Sequence, residues 1–415
     1  MRVIADFHIH TKYARATSQD MDLEHIADFA DKKGINIIGT GDFTHPMWFK
    51  ELSNKLEEAE SGLYKLKNSN TKVRFVLSSE ISNIYTKNNR CRKIHSVILM
   101  PNLQSVEEFN RRLSFRGNLN ADGRPIIGMD AKDLLELSLE VDKQSIFIPA
   151  HIWTPWFSLF GSMSGFDTIE DCFEELTPYV KICETGLSSD PLMNWRLSQL
   201  DNITLVSNSD SHSLEKLGRE ANVFDIDDVS YNALYNVLTN KDARRFLYTI
   251  EFYPEEGKYH YNGHRLCKVN LSPTESKKIN NICPVCHKKL TIGVLHRVED
   301  LADRSEDEDR QFGVIPFKSL IPLKEIIADY YEVKSASKKV DTLYDLMLHQ
   351  YGTEFNILLD ISLGQMQQDG FKDIGQYIDK VRKGEVEKIP GYDGEYGVIH
   401  IKKQTSSNVQ NLFTT

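Results

Sequence analysis

The sequence predicts an α/β fold followed by a small zinc-ribbon-like module and a helical C-terminal unit. Short apolar runs alternate with helical patterns over residues 1–250. Histidines and carboxylates stand at the ends of these runs, and two closely spaced cysteines follow at 283 and 286. Because strands that alternate with helices form right-handed βαβ units, the pattern indicates a mostly parallel sheet or barrel.

Seven runs have the length and the β-branched, apolar composition of buried strands. They are Val3–Ala5, Ile35–Ile38, Arg74–Leu77, Ser96–Met100, Ser145–Ile148, Val180–Ile182 and Ile203–Val206. The clearest helix between them is Asp22–Lys33, which has an acidic first turn, apolar residues at helical spacing and Gly34 beyond its end. The predicted strands and helix fix where the polar residues of the chain come to lie.

Candidate metal ligands follow most of these strands, and one precedes its strand. The candidates are His8, His10, Asp42, His45, Glu80, His95, His151, Glu184, Asp210 and His212, of which His95 is the one that precedes its apolar run. A single histidine or carboxylate after a strand is usually an ordinary loop residue. In barrels of alternating strands and helices, however, the chemistry collects at the carboxyl ends of the strands. Imidazoles with carboxylates suit Zn²⁺, Mn²⁺ or Fe²⁺ better than a pure Mg²⁺ cage, so the set predicts a multinuclear metal site.

Two short pairs strengthen this prediction. In an extended chain side chains alternate, so His8 and His10 project to the same side, and Asp210 and His212 repeat the arrangement. Two such pairs, each directly after an apolar strand, are difficult to explain by solvation alone.

The cysteine segment predicts a second, separate metal site. His264 and Cys267 form one pair with two residues between them, and Cys283 and Cys286 form another, which is the spacing of a zinc ribbon. His260 and His287 are substitutes for the histidine ligand, and chance buried thiols are the alternative interpretation. A closed four-ligand site has no open position, so we expect structural Zn²⁺ that supports folding.

Aromatic and basic residues beside the predicted centre are candidates for binding nucleic acid. Trp153, Trp156 and Phe157 follow His151 and could stack on a base, although simple core packing explains them equally well. The basic candidates precede or follow His95 in sequence, and solvated surface is the alternative for each of them. They are Arg90, Arg92 and Lys93, with a second cluster at Arg111, Arg112, Arg116 and Arg124.

Composition limits the possible partners. The 415 residues carry a formal net charge of −10, which argues against binding of nucleic acid by bulk positive charge but leaves room for a local basic groove. No stretch resembles a secretory signal or a membrane span, so we expect a cytoplasmic protein without a membrane partner. Six cysteines are too few for a disulfide scaffold in a chain of this length.

The strand-end residues resemble the signature of the PHP (polymerase and histidinol phosphatase) superfamily. The resemblance rests on His8-x-His10, Gly41-Asp42 with His45, Glu80, His95, His151 and Asp210-x-His212. It implies a distorted seven-stranded barrel with three metal ions, in which Glu80 bridges two of them. His8, His10 and Asp210 would surround one ion, and His95 and His151 the next. A third ion would use His212 with Asp42 or His45, although the stretch 11–16 lacks a further histidine that many relatives carry.

The order of segments resembles the endonuclease Q family over nearly the whole chain. The resemblance implies a DNA-repair endonuclease that cuts 5′ to uracil, hypoxanthine, xanthine or an abasic site by means of metal-activated water. Its catalytic residues would be Asp210, Glu80 and His8, with Zn²⁺ in the active site and Mg²⁺ or Mn²⁺ as alternatives. Damaged DNA would be its partner in the nucleoid, and a sliding clamp is a further partner to test. A PHP-type phosphomonoesterase and a metal-stabilised DNA-binding subunit without catalysis are the alternative functions.

The resemblance also implies four segments. They are a catalytic PHP barrel at 1–250, a zinc-binding module at 251–303, a helical unit that grips DNA at 304–400 and a flexible tail at 401–415. Apolar residues at helical spacing predict helices at Leu323–Tyr331 and Val340–Tyr351, which we expect to pack on the zinc module. The acidic stretch Arg304–Arg310 is expected to be a solvated linker.

Overall fold

The computed structural model describes residues 1–306 and 314–402. Most of the predicted linker and nearly all of the predicted tail lie outside these ranges. The strands are β1 Arg2–Asp6, β2 Ile37–Gly39, β3 Leu56–Glu60, β4 Leu63–Leu66, β5 Arg74–Lys87, β6 Arg90–Met100, β7 Ile126–Ile127, β8 Ile146–Pro149, β9 Ile182–Glu184, β10 Thr204–Val206, β11 Ala221–Asp225, β12 Phe246–Glu251, β13 Asn262–His264, β14 Val269–Leu271, β15 Phe317–Ser319, β16 Val386–Ile389 and β17 Val398–Ile401.

The α-helices lie between and after these strands. They are α1 Leu23–Lys33, α2 Pro46–Lys55, α3 Leu103–Leu113, α4 Ala131–Val141, α5 Ile169–Phe173, α6 Pro191–Asn194, α7 Tyr231–Thr239, α8 Pro273–Lys278, α9 Val294–Leu301, α10 Leu323–Tyr331, α11 Lys338–Tyr351, α12 Glu354–Leu359, α13 Leu363–Gln368 and α14 Lys372–Arg382. In the part of the chain that the structure describes, no helix combines the length and apolar character needed to cross a membrane.

Each of the seven predicted strands corresponds to a strand of the structure, and the predicted first helix is confirmed. Asp22 caps α1 by accepting a 3.0 Å hydrogen bond from the backbone N–H of His25. Gly34 ends the helix with a φ of 87°, a left-handed conformation that glycine adopts without strain. The helix connects β1 to β2, which pair in parallel as a βαβ unit should.

The sheet is more mixed than the sequence predicts. β1, β2 and β5 are parallel neighbours, whereas β11 pairs antiparallel with β1 and β12 pairs antiparallel with β11 in the same sheet. The hydrogen bonds between described strands give an eleven-stranded sheet and a separate parallel pair, β9 with β10. They do not close a ring, so the seven-stranded barrel stays a prediction, whereas the mixed α/β class is confirmed.

The longest hairpin of the sheet explains the one exception in the sequence pattern. β5 and β6 pair antiparallel from Leu77 with Met100 to Lys87 with Arg90. The two residues between them, Asn88 and Asn89, have φ values of 53° and 57°, as a two-residue hairpin turn requires. β6 therefore runs opposite to its neighbour, and His95 lies in the middle of a strand.

The C-terminal helices pack on the N-terminal unit, so their predicted position on the zinc module is wrong. Lys33 at the end of α1 forms a buried 2.8 Å ion pair with Glu354, which also accepts a hydrogen bond from the Tyr344 hydroxyl. Side chains of α10 to α14 share one apolar core with the N-terminal strands. The segment after β16 contacts the zinc module, since Asp393 accepts hydrogen bonds from Arg265 N and the Thr291 hydroxyl.

Candidate active site

The first ligand segment follows β1 and lies beside the segment that follows β10. Ile9, between His8 and His10, forms a parallel bridge with Ser211, and the His10 N–H donates a 2.8 Å hydrogen bond to the Ser211 carbonyl. The two pairs singled out in the sequence are therefore neighbours in space. Asp210 faces both histidines as a result.

Four side chains form the first group of candidate ligands. The Nε2 atom of His10 lies 3.1 Å from Glu80 Oε2 and 3.2 Å from Asp210 Oδ1. The Nε2 atom of His8 lies 3.5 Å from each of the same two oxygens. Ligand atoms of all four residues lie within 4.8 Å of one another.

Glu80 also belongs to a second group, which contains His95 and His151. Its Oε1 atom lies 2.6 Å from His95 Nδ1 and 3.1 Å from His151 Nε2. The β5–β6 register explains this contact, because Ser82 pairs with His95, and Glu80, two residues away, projects from the same face. The two oxygens of one carboxylate are thus divided between two groups.

The unsatisfied polar atoms of the site test whether metal fits. His8 Nε2, His10 Nε2 and Asp210 Oδ1 are buried without a hydrogen-bond partner among the described residues. Buried polar atoms are normally paired, and bonds of about 2.0–2.2 Å to one shared cation would satisfy all three. The nitrogen and oxygen donors, and the shared Glu80, therefore fit a centre of two divalent ions.

Glu184 holds both groups in place. Its carboxylate lies 3.0 Å from His8 Nδ1 and accepts hydrogen bonds of 2.9 Å from His151 N and 2.8 Å from Asn208 Nδ2. A carboxylate on the far nitrogen of a ligand histidine fixes the tautomer and the orientation of the ring. The sequence places Glu184 at a strand end, but only its contacts reveal that it positions ligands.

Asp42 has the same relation to His10, and its place in a third metal site stays a prediction. Its Oδ1 atom lies 3.1 Å from His10 Nδ1, and its Oδ2 atom accepts hydrogen bonds from Thr11 N at 2.7 Å and the Thr11 hydroxyl at 2.6 Å. Because these contacts occupy the carboxylate, Asp42 orients a ligand and belongs to neither group.

The other two residues predicted for a third ion lie at the edge of the site. The His45 ring stacks on Tyr13 with centroids 4.4 Å apart, and His45 Nδ1 is buried without a partner among the described residues. The His212 ring lies 4.4 Å from the His10 ring, and its Nδ1 atom contacts the Asp210 carbonyl at 3.1 Å. Neither residue joins a ligand group within the described ranges, so the third site stays a prediction.

The backbone is strained where it presents these residues. Asp42, His151 and Asp210 have φ values of 46°, 31° and 45°, a left-handed conformation that side chains disfavour. Such strain costs about 1–3 kcal/mol per residue and persists where surrounding contacts impose it, typically at functional sites.

The charges of the site are concentrated and interdependent. Burial opposes ionisation of His8, but the carboxylates of Glu184, Glu80 and Asp210 outweigh it and raise the pKa of His8 well above its ordinary value. Arg124 approaches from the partly open side, where its Nη1 atom lies 3.0 Å from Glu80 Oε2. The excess of carboxylates indicates a site that attracts cations.

Two of the predicted DNA contacts are wrong because the side chains are buried. Trp153 is 1% exposed, packs on Phe160 and donates a 2.7 Å hydrogen bond from Nε1 to Asn194. Arg92 is 6% exposed, lies over the Phe166 ring and donates to the Gly165 carbonyl. Neither side chain can reach a nucleic acid without unfolding its surroundings.

The remaining predicted contacts are accessible. Phe157 is half-buried, and its ring lies 4.7 Å from that of His95, with Lys93 Nζ 5.1 Å from its centroid. Trp156 is half-buried, and its ring centroid lies 5.7 Å from that of Tyr259. Arg90 is exposed in the β5–β6 hairpin. Phe157 and Lys93 therefore line the side of the centre next to His95.

The cysteine module forms the third group of candidate ligands. Atoms of His264, Cys267, Cys283 and Cys286 lie within 4.8 Å of one another, and His264 Nδ1 lies 3.3 Å from Cys286 Sγ. The substitute His260 is buried against Tyr261 and lies outside this group, as does His287. One His/Cys pair and one Cys/Cys pair, from separate turns, fit a tetrahedral structural ion.

The fold and these three groups define a class: α/β proteins with a multinuclear histidine and carboxylate centre, extended by a Cys/His module and a helical unit. Solved structures of this class match the chain. With the lesion-specific endonuclease PfuEndoQ from Pyrococcus furiosus it shares 28% identity and a TM-score of 0.86, over 99% of this chain and 98% of that one. With an endonuclease Q in complex with a 27-mer duplex carrying an abasic lesion at the active site, it shares 28% identity and a TM-score of 0.86 over 100% of both chains. The resemblance to endonuclease Q is confirmed over the whole chain.

The chain is also similar in sequence to a protein family and to two proteins. Residues 322–385 match the family described as the MJ0043 C-terminal domain. Protein MJ0043 of Methanocaldococcus jannaschii is 32% identical over 67% of this chain, which spans 35% of that protein's length. Protein YqxK of Bacillus subtilis is 27% identical over 96% of this chain and 99% of its own.

Proposed function

We propose that this chain is a metal-dependent DNA-repair endonuclease that hydrolyses the phosphodiester bond 5′ to deaminated bases or abasic sites. One observation carries the proposal: the two ligand groups that share Glu80 lie in a fold that matches a lesion-specific endonuclease from end to end. Uracil, hypoxanthine and xanthine are the proposed bases. The abasic site is supported by the lesion in the matched complex.

His8, His10, Glu80 and Asp210 would hold one divalent ion, and Glu80, His95 and His151 a second. Zn²⁺ and Mn²⁺ suit these donors, and Mg²⁺ is a further candidate. Divalent ions in such a site activate water at neutral pH and neutralise charge on phosphoryl oxygens. In the reaction, water forms the new P–O bond and loses a proton to solvent, while the P–O3′ bond breaks. The products are a 3′-hydroxyl and a 5′-phosphate.

The side chains around the ligands have separate roles in this proposal. Glu184 and Asp42 keep the imidazoles of His8 and His10 directed at the position of the first ion, so little reorganisation is needed during the reaction. Phe157 is the accessible aromatic ring beside the centre and offers a face on which a displaced base could stack. Discrimination between a lesion and a normal base is assigned to this side of the site.

The partner is damaged DNA, which would bring the protein to the nucleoid. The formal net charge of the protein is −10, so its contacts with the phosphate backbone of DNA must be local. Lys93 and Arg90, on the hairpin that carries His95, are proposed for such contacts, and the helical unit at 304–400 for additional grip. Neither the comparisons nor the described residues support a sliding-clamp partner.

The test is a nicking assay on labelled duplexes that carry one uracil, one hypoxanthine, one abasic site or no lesion, with Mn²⁺, Mg²⁺ or Zn²⁺. We expect a single nick directly 5′ to the lesion, and none in the undamaged duplex. Asp210→Asn and Glu80→Gln should each lower the rate by on the order of 10³-fold, because each removes the charge of a candidate metal ligand. Lesion binding, measured by fluorescence anisotropy, should remain.

Glu140→Gln is the matched control, since Glu140 is an exposed carboxylate on α4 paired only with Arg112. It should nick at the wild-type rate. If no duplex is cleaved and small phosphomonoesters release phosphate instead, the phosphatase alternative replaces the proposal. If neither substrate reacts but lesion binding persists, the chain is a binding subunit.

A further inference from the structure

Arg124 stands out among the charged residues of the site. In the described part of the chain it is the one lysine or arginine that forms an ion pair with a candidate metal ligand, through Nη1 to Glu80 Oε2 at 3.0 Å. Its side chain is 28% exposed, so the guanidinium borders the opening of the site. Among residues 1–306 and 314–402, Nε and Nη2 of Arg124 form no hydrogen bond, so they can donate to an incoming group.

The backbone on both sides of Arg124 is fixed to the strands of the site. Gly123 N donates a 2.9 Å hydrogen bond to the Tyr13 carbonyl, and the Pro125 carbonyl accepts one of 3.0 Å from Ser82 N. A Cβ at Gly123 would come within 2.4 Å of Asp42 Oδ2, so glycine is required for this close approach. The guanidinium is thus held at the centre by a rigid loop, as a preorganised charge should be.

The ion pair between Arg124 and Glu80 is favourable by itself, but it leaves an excess of positive charge when divalent ions share the same carboxylate. Glu80 and Asp210 both stabilise the charged guanidinium and raise the pKa of Arg124. If the Glu80 oxygens bind divalent ions, the Arg124 guanidinium is a fixed positive charge beside the positive charges of these ions. A phosphodiester supplies the missing negative charge, and guanidinium binds phosphate oxygens through two parallel N–H donors.

We propose that Arg124 is a catalytic residue that binds the nonbridging oxygens of the scissile phosphate and stabilises the charge that develops there during hydrolysis. This inference rests on the proposed nuclease function. It assigns to Arg124 a contact with the reacting phosphate itself, whereas Glu184 and Asp42 act only through the histidines that they orient.

The test compares single-turnover nicking of the abasic duplex by the wild type, Arg124→Ala and Arg124→Lys. Loss of one preorganised donor costs ~10²–10³-fold in rate, which we expect for Arg124→Ala, while lysine retains charge without the planar pair of donors and should be intermediate. Added guanidinium chloride should restore part of the rate to Arg124→Ala, and an equal concentration of sodium chloride should not. Without metal, the affinity of Arg124→Ala for the duplex should differ from that of the metal-free wild type by less than tenfold.

Arg245→Ala is the matched control, because Arg245 is an exposed arginine whose carboxylate contact, to Asp242, is 3.9 Å long. It should nick at the wild-type rate with or without guanidinium. The inference is overturned if Arg124→Ala keeps the wild-type rate, if guanidinium restores nothing, or if the variant loses the ions of the centre by elemental analysis. If the wild type itself nicks no duplex, the proposed nuclease function fails first, and the inference with it.

Discussion

The two kinds of metal-ligand cluster in this chain differ in how they are held together. Residues from 8 to 210 converge in the histidine and carboxylate centre, and its six candidate ligands are held by Glu184, Asp42 and the sheet. The Cys/His module draws its ligands from residues 264–286 and has a core of only three buried apolar side chains, Val269, Cys283 and Leu290. The first cluster is positioned by the fold, whereas we predict that the fold of the second depends on a bound ion.

The largest expected effect follows from this difference. Cys283→Ser should release the structural ion and unfold residues 259–293 locally, because zinc binding supplies on the order of 10 kcal/mol to small modules of this kind. Limited proteolysis with elemental analysis measures this outcome. The ions of the histidine and carboxylate centre should remain, and Cys172→Ser, at a buried cysteine remote from the module, should leave both clusters intact. Loss of all ions from Cys283→Ser would contradict the independence of the two clusters.

Trp153 and Trp156 are close in sequence but lie in different surroundings, one in the N-terminal core and the other beside the Cys/His module. Trp153 is fixed in the N-terminal core, so Trp153→Ala should lower the free energy of unfolding by about 3–5 kcal/mol, as expected for loss of a buried aromatic ring. Trp156 contacts Tyr259 at the edge of the module and is half-buried, so Trp156→Ala should cost less than about 1.5 kcal/mol. Urea denaturation measures both values. Equal losses of unfolding free energy in the two variants would show that Trp153 does not contribute to stability as a buried core residue.

Local patterns predicted much of this architecture. Apolar runs identified the seven strands, and capping residues identified α1, because both signals lie within a few neighbouring residues. The ligand groups were predicted because strand ends converge in α/β folds. His95 was the exception, since no local signal shows that β6 runs antiparallel to β5.

The errors have a common physical cause. Trp153 and Arg92 have the residue types of DNA-binding sites, but they are buried and hydrogen-bonded within the protein. Sequence neighbours cannot show that Trp153 reaches Asn194 or that Asp42 accepts from Thr11, because these partners depend on the tertiary fold. The role of Glu184 was missed for the same reason, although its position after β9 was a usable signal.

A smaller effect is expected from Glu184, the carboxylate that supports His8 in the histidine and carboxylate centre. Glu184→Gln should lower nicking by ~10–100-fold, the usual cost of removing a partner from a ligand histidine. The amide can still accept a hydrogen bond from Asn208 but cannot stabilise the imidazole of His8 as a carboxylate does. Single-turnover kinetics at several metal concentrations should show weaker metal binding, with Glu140→Gln as the unaffected control. Unchanged metal affinity would mean that Glu184 does not position His8.

The smallest expected effect is a change of stability with pH, and it depends on Glu251. This buried carboxyl group lies behind the histidine and carboxylate centre. Burial raises the pKa of Glu251 from 4.5 to about 8, and hydrogen bonds from Thr249, Ser207 and Thr185 only partly oppose this. Between these pH values the folded chain keeps a proton that the unfolded chain releases, so the free energy of unfolding falls as pH rises from 4.5 to 8 and then levels.

Glu251→Gln cannot ionise, so the variant should lose less stability than the wild type over this pH interval. A residual slope should remain, since burial and the proximity of Glu251 also raise the pKa of Glu220. Thermal unfolding at pH 5.5, 7 and 8.5, with Glu140→Gln as the control, measures the difference. Parallel pH curves for Glu251→Gln and the wild type would show that Glu251 is ionised in the folded chain, and that the sheet behind the centre tolerates a buried charge.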